Sequence, residues 1–319
     1  MENEVQLLSP KLDVVFQALF GEEGSERITK SFLEKILDIK IDKIELNQNV
    51  ILRREEKDGK LGVLDVLAKV NKNQNVDIEM QIEEKGNILD RMVYYWGRLY
   101  VRSIKRKEDY EKLEKSIVIL ISNKNIKGLE ELECHTQWRI FEDKYKKKIL
   151  TDKFEIHIIE LEKLKNNINS ISDSLLDWLV FLQNPKEERG INNMENKEEM
   201  DRWKNLEAIE EAREKLRKLS EDPKMQQLAW WREKGIYEEN ERKREIKQIE
   251  DGKKELEDGK KELEDGKEEL KRKQEELKEQ TKEFEEKTKE LAKRLLKNNI
   301  EIETIIEVTG LTKEEIEKL

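Results

Sequence analysis

Apolar residues are spread unevenly along this chain, and that imbalance decides what it can fold into. Hydrophobic residues are 35% of the 319 and charged residues 43%. Distributed evenly, that little apolar side-chain area would leave a poor core everywhere. Strand-like apolar runs are instead concentrated in the first half, and the last third holds very few. The chain therefore reads as one packed domain followed by an extended helical tail.

KLDVVFQALF (11–20) places Leu12, Val15, Phe16, Leu19 and Phe20 on one helical face, and Gly21 stops that helix. A second helix over about 25–38 carries Ile28, Phe32, Ile36 and Leu37. Extended segments follow at 44–52 and 61–70, and NVDIEMQIE (75–83) alternates strictly. Val76, Ile78, Met80 and Ile82 face one way, and Asp77, Glu79, Gln81 and Glu83 the other. KNQN (72–75) makes the turn of a hairpin. A helix over 87–107 has Met92, Val93, Trp96, Leu99 and Tyr100 as its apolar stripe. KSIVILIS (115–122) reads as a buried strand, FEIHIIEL (154–161) as another, and DSLLDWLVFL (173–182) as a helix. A mixed α/β fold accounts for this order: an antiparallel meander backed by helices and extended by a parallel strand.

The remaining sequence sets the expected boundaries: domain 1–185, linker 186–200, charged helical region 201–291 and a small helical unit 292–319. Helices at 200–219 and 224–247 break at Asp222-Pro223. From residue 251, Leu256, Leu263, Leu270, Leu277, Phe284 and Leu291 recur at heptad spacing. One apolar residue per heptad is half of what a coiled-coil seam needs, and Gly252, Gly259 and Gly266 each cost ~1 kcal/mol against alanine. A weak, partly frayed helix that pairs loosely is expected. At the end, Leu311, Ile316 and Leu319 should pack on Ile302, Ile305 and Ile306, with Thr312 and Glu315 as a capping box.

The charge balance narrows the function. With 64 basic against 74 acidic residues the net charge is −10, which argues against DNA gripped all over the surface but allows one basic groove. Cys134 is the only cysteine, so no internal disulfide framework is possible and a reducing cytoplasm fits. The start lacks the charged and apolar regions of a secretory signal, and no apolar run spans a membrane. With only His135 and His157, a histidine-rich zinc site is not expected. A catalytic metal would be held by carboxylates, which points to magnesium or manganese.

Asp65 in one strand and Glu79 and Gln81 in the next are the candidates for that chemistry. Residues two apart in a strand share a face, and pairing across the turn brings Asp65 near Glu79. Converging carboxylates need a counter-charge, which a divalent cation supplies. Gln81 has only an amide to orient water or a phosphate oxygen. The competing reading is a solvated strand face. Arg91, Tyr95, Arg98 and Arg102 share one face of the next helix, opposite the Trp96 stripe. They either hold DNA phosphates or form ion pairs in solvent.

SPKLDVVFQALFG (9–21), LDVLAKV (64–70), DIEMQ (77–81), DRMVYYWGRLYVRSI (90–104) and DYEKLEKSIVILI (109–121) carry a resemblance. So does the ending, AKRLLKNNIEIETIIEVTGLTKEEIEKL (292–319). The chain resembles the Rpn-type recombination-promoting nuclease and transposase family of the PD-(D/E)XK superfamily. The resemblance implies a restriction-endonuclease-like core of helix, three-stranded meander, helix and strand. It implies a magnesium-dependent DNA endonuclease that promotes recombination, with Asp65 and Glu79 as metal ligands and Gln81 where the superfamily has lysine. Gln17 departs from the lysine usual after that phenylalanine, and Lys107-Glu108 from a usual glycine. From other classes, a non-catalytic oligomeric binding protein on the nuclease fold is the alternative. A purely structural coiled coil leaves the strand-rich half unexplained. The tail is expected to mediate self-association rather than DNA reading.

Overall fold

The structure is a computed structural model, and it describes residues 6–47, 51–52, 62–63, 65–71, 73–83, 86–166, 170–187 and 197–319. Two compact units divide the chain, Met1–Glu238 and Glu239–Leu319. The strands of the first are β1 (Ile44–Asn47), β2 (Ile51–Leu52), β3 (Gly62–Val63), β4 (Val66–Val70), β5 (Gln74–Gln81), β6 (Lys115–Ser122), β7 (His135–Trp138) and β8 (Phe154–Glu160). Six of them form one sheet in the order β1-β4-β5-β6-β8-β7. β1, β4 and β5 make the antiparallel meander, β6 and β8 extend it in parallel, and β7 closes the edge antiparallel to β8. Of the expected strand at 44–52, Ile44–Asn47 is β1 in the six-stranded sheet and Ile51–Leu52 is β2, which pairs with β3. Positions 48–50 of that segment, Leu61 and Leu64 of the next and Lys72 of the turn lie outside the described residues.

Alternation along β5 sorts the two faces of the sheet. Val76, Ile78 and Met80 enter a core shared with α1 (Asp13–Phe16), the π turn Gln17–Gly21, α2 (Glu26–Leu37) and helix α4 (Asp173–Gln183). At its centre Trp178, Phe20 and Phe32 pack ring against ring, 5.1–6.0 Å between centroids. The expected helix over 11–20 widens into the π turn, in which Ala18, Leu19, Phe20 and Gly21 are all buried. A Cβ at Gly21 would meet Val66 Cγ2 at 3.2 Å, so a larger residue there would press on β4.

The opposite face is covered by α3 (Ile88–Arg102), over Val118, Leu120, Ile156 and Ile158. The buried stripe of α3 is Ile88, Met92, Tyr95 and Leu99, while Val93 is 54% exposed. The helix is thus rotated from the expected stripe: Tyr95 turns in, and Val93 out. Trp96 is partly buried, and its indole N–H donates to the Ser116 carbonyl at 2.8 Å.

A second difference concerns the domain end expected at 185. α5 (Lys197–Glu221) buries Ala208, Ile209, Ala212 and Leu216 in the first core, and the start of α6 (Pro223–Lys297) adds Met225 and Ala229. Asn205 of α5 accepts from the Trp178 indole at 2.7 Å and donates to the Ser174 carbonyl at 2.9 Å. Arg202 grips Asp177 at 2.9 and 3.1 Å. A narrow stripe of small and branched residues suffices to bury a helix that is charged elsewhere. Of the expected linker 186–200, positions 188–196 lie outside the described residues.

In the second unit α6 continues without a break through Gly252, Gly259 and Gly266, where fraying was expected. Strong helix formers and i,i+4 pairs such as Glu269–Lys273, 2.7 Å apart, offset those glycines. Leu256, Leu263, Leu270, Leu277 and Phe284 stay 59–72% exposed. Its last turns form a small core with α7 (Ile302–Thr309) and α8 (Lys313–Glu317): Ala292, Ile305 and Ile316 are buried, with Ile302, Ile306, Leu311 and Leu319 around them. The capping box at Thr312 and Glu315 is formed.

Candidate nuclease site

The β4–β5 hairpin sets the site. Val66 pairs with Ile78, so the next residue out, Asp65, comes beside Glu79. The Met80 amide donates to Asp65 Oδ2 at 2.8 Å, and the Asp65 amide donates to Glu79 Oε1 at 3.3 Å. One turn into α3, Arg91 Nη2 donates to Gln81 Oε1 at 2.9 Å and lies 3.6 Å from Glu79 Oε2. The tyrosine a turn further lies under that arginine, ring centroid 5.5 Å from the guanidinium carbon. Glu79 and Gln81 are buried, 3% and 8% exposed. A solvated strand face is therefore ruled out.

The site is short of positive charge. Burial, aided by Asp13, pushes the Asp65 carboxyl up to about 6, against a hydrogen bond from the Met80 amide and the charges of Arg91 and Arg232. Asp77, one step back on the same face, is fully buried, and neither of its carboxylate oxygens meets a hydrogen-bond donor among the described residues. Burial first, then Glu79 and Asp65, hold its carboxyl well above the usual range. Burial and Glu79 likewise push the Tyr95 phenol up to about 12. The half-buried Asp65 and the buried Asp77 and Glu79, gathered with Arg91 close by, form an environment that a divalent cation relieves.

Among the described residues, no group of three or more His, Cys, Asp or Glu side chains converges to enclose a metal. Two carboxylates with water completing the shell remain, a donor set that suits magnesium or manganese. The histidines lie elsewhere, on β7 and β8. His135 and His157 meet at 2.9 Å, and His157 reaches Glu155 at 2.8 Å.

Residues 10–233 match the family described as PD-(D/E)XK nuclease family transposase. The chain belongs to that family. No curated protein and no solved structure matches it. Gln81 follows Glu79 by two residues on β5, and the structure brings the Arg91 guanidinium onto its side-chain oxygen. The family match runs past α5 into α6, in accord with a core that includes both.

Of the residues read from the sequence, Asp65, Glu79, Gln81 and Arg91 come together. Tyr95 is buried, and its ring faces Arg91 rather than solvent. Arg98 and Arg102 lie seven and eleven residues along α3 from Arg91, roughly 10 and 16 Å down the helix axis. Three residues went unassigned: Asp77, Asp13 and Arg232. Asp77 shares the polar face of β5, and only its cover by α3 separates it from a solvated acid. Asp13 lies in the opening segment that carries part of the family resemblance. Nothing in the charged stretch around Arg232 sets that arginine apart. Among the described residues no helix is long and apolar enough to cross a membrane.

Proposed function

We propose that this protein is a magnesium- or manganese-dependent endodeoxyribonuclease that promotes DNA recombination. The observation that carries the reading is the convergence of Asp65, half-buried and one residue before β4, on the buried Glu79 of β5, with Arg91 as their close cation. Asp65 and Glu79 hold the cation, which when bound polarises the phosphodiester and lowers the pKa of an attacking water. Gln81 orients water or a phosphate oxygen. Arg91, held by Gln81 and backed by Tyr95, takes the lysine's part in stabilising charge that develops on the phosphate.

The partner is DNA. Arg98 and Arg102 extend the contact to phosphates further along the strand. The exposed apolar stripe of α6 from Leu256 to Phe284 pairs with a second copy of the chain, giving a homo-oligomer. The setting is the cytoplasm, consistent with a single buried thiol that burial pushes up to about 11. The test is incubation of plasmid with the pure protein and magnesium beside Glu79→Ala. Nicking or linearisation that needs both metal and Glu79 is expected. DNA binding without cleavage in any divalent metal would select the alternative, a non-catalytic binding protein on the nuclease fold.

A further inference from the structure

Arg232 belongs to α6, 219 residues from Asp13, yet its Nε and Nη2 grip the Asp13 carboxylate at 2.8 and 2.6 Å. Asp13 opens α1, and α1 with the π turn forms one wall of a cleft of about 330 Å³. Gln17, Asp65, the acids Glu22 and Glu23, and Met225 and Leu228 of α6 are among its lining residues, so the cleft is itself rich in negative charge. The Asp13–Arg232 pair is therefore next to a cleft that opens on the catalytic carboxylate. Both members are partly open to solvent, 28% and 38% exposed. The charges of both are felt at Asp65.

A guanidinium that binds a carboxylate with two parallel donors presents the same fork to a phosphate. Arg232 also has donors left, because Nη1 takes no part in the grip on Asp13. We infer that Arg232 is a second phosphate-binding residue of the nuclease site, reaching the DNA backbone from the α6 side of the Asp65 cleft, with Asp13 as its resting partner. The assignment rests on the DNA-cleaving reading of Asp65 and Glu79. It places part of the substrate site on a segment whose sequence reads only as a charged helix. It also gives the negatively charged site cations on two elements, Arg91 from α3 and Arg232 from α6, between which a phosphodiester can be held over the acids. In the DNA-free protein Asp13 keeps the Arg232 fork oriented and partly neutralised. A bound phosphate takes over donors that Asp13 holds at rest.

The experiment measures binding of a fluorescent duplex in EDTA, over a range of salt, for the full chain, Arg232→Gln, Arg232→Lys, Asp13→Asn and Asp13→Asn/Arg232→Gln. Thermal melts of each confirm folding. Arg232→Gln should bind about 10-fold more weakly, with a salt slope lower by roughly one. Arg232→Lys should keep the slope while losing part of the affinity. Asp13→Asn should bind more tightly than the full chain, and adding Arg232→Gln should erase that gain. A purely structural pair would lower the melting temperature in both single variants and leave affinity untouched, which would overturn the inference. So would a gain from Asp13→Asn that survives the second substitution, since it would be a general charge effect. If the unmodified chain binds duplex neither in EDTA nor with calcium in place of magnesium, the DNA reading of the whole site falls. Binding indifferent to Arg232→Gln sinks the Arg232 assignment alone.

Discussion

The carboxyl of Asp65 makes the metal-free protein unstable in a pH-dependent way, and Asp65→Asn should remove that instability. Its folded value of about 6 lies above the ordinary aspartate value of 3.8. A raised carboxyl binds more protons folded than unfolded between those two values. The stability it confers is whole below about pH 4 and is lost as pH rises through 6. A shift of about two pH units corresponds to at most ~3 kcal/mol at neutral pH. Asparagine keeps the shape, and its side-chain oxygen can still accept from the Met80 amide, so most of the local geometry is conserved. Urea melts of both proteins in EDTA at pH 4.5 and 7.5 compare the pair, and Asp77, which the Asp65 charge helps to raise, relaxes in the same direction when that charge is removed. Asp65→Asn should be the more stable protein at pH 7.5, by about 2–3 kcal/mol, and by only about 1 kcal/mol at pH 4.5. Magnesium or manganese should then raise the melting temperature of the unmodified protein at pH 7.5 and leave that of Asp65→Asn unchanged. A stability difference that does not grow with pH would refute the argument, whatever the effect on cleavage.

Other outcomes follow from the same geometry. Asp65→Ala and Glu79→Ala should abolish cleavage and leave circular dichroism unaltered; unimpaired cleavage by both would end the assignment. Gln81→Lys should stay active, but beside Arg91 Nη2 it places two cations together, so Gln81→Lys/Arg91→Gln should be the more active in a plasmid assay. Asn205→Ala leaves the Trp178 indole N–H unpartnered in the core and should cost ~1–3 kcal/mol in a urea melt. A chain cut after residue 190 loses the α5 packing and should unfold at lower denaturant. A chain cut after Glu238 should keep the cooperative melt and the DNA affinity while running as a monomer by light scattering, and a self-associating 1–238 fragment would contradict the proposed role of the tail.

Local periodicity settled much of this molecule before any tertiary contact was known. The alternation of Val76, Ile78 and Met80 against Asp77, Glu79 and Gln81 dictates a strand with one apolar face. The turn before it then has to carry Asp65 beside Glu79. The capping box at Thr312 and Glu315, and the break at Pro223, are equally local, because each depends on residues within one or two turns. Tertiary packing decided the rest. The face α3 buries depends on where its first turn docks, and the contact of Arg91 with Gln81 and Glu79 accompanies Tyr95 turned inward and Val93 outward. Ala208, Ile209, Ala212 and Leu216 are too few among charged neighbours to mark α5 as core, and become so only against α2 and α4. The pairing of Arg232 with Asp13 spans 219 residues. No period or spacing in a sequence encodes such a contact; it exists because α6 begins its course on the same core that α1 opens.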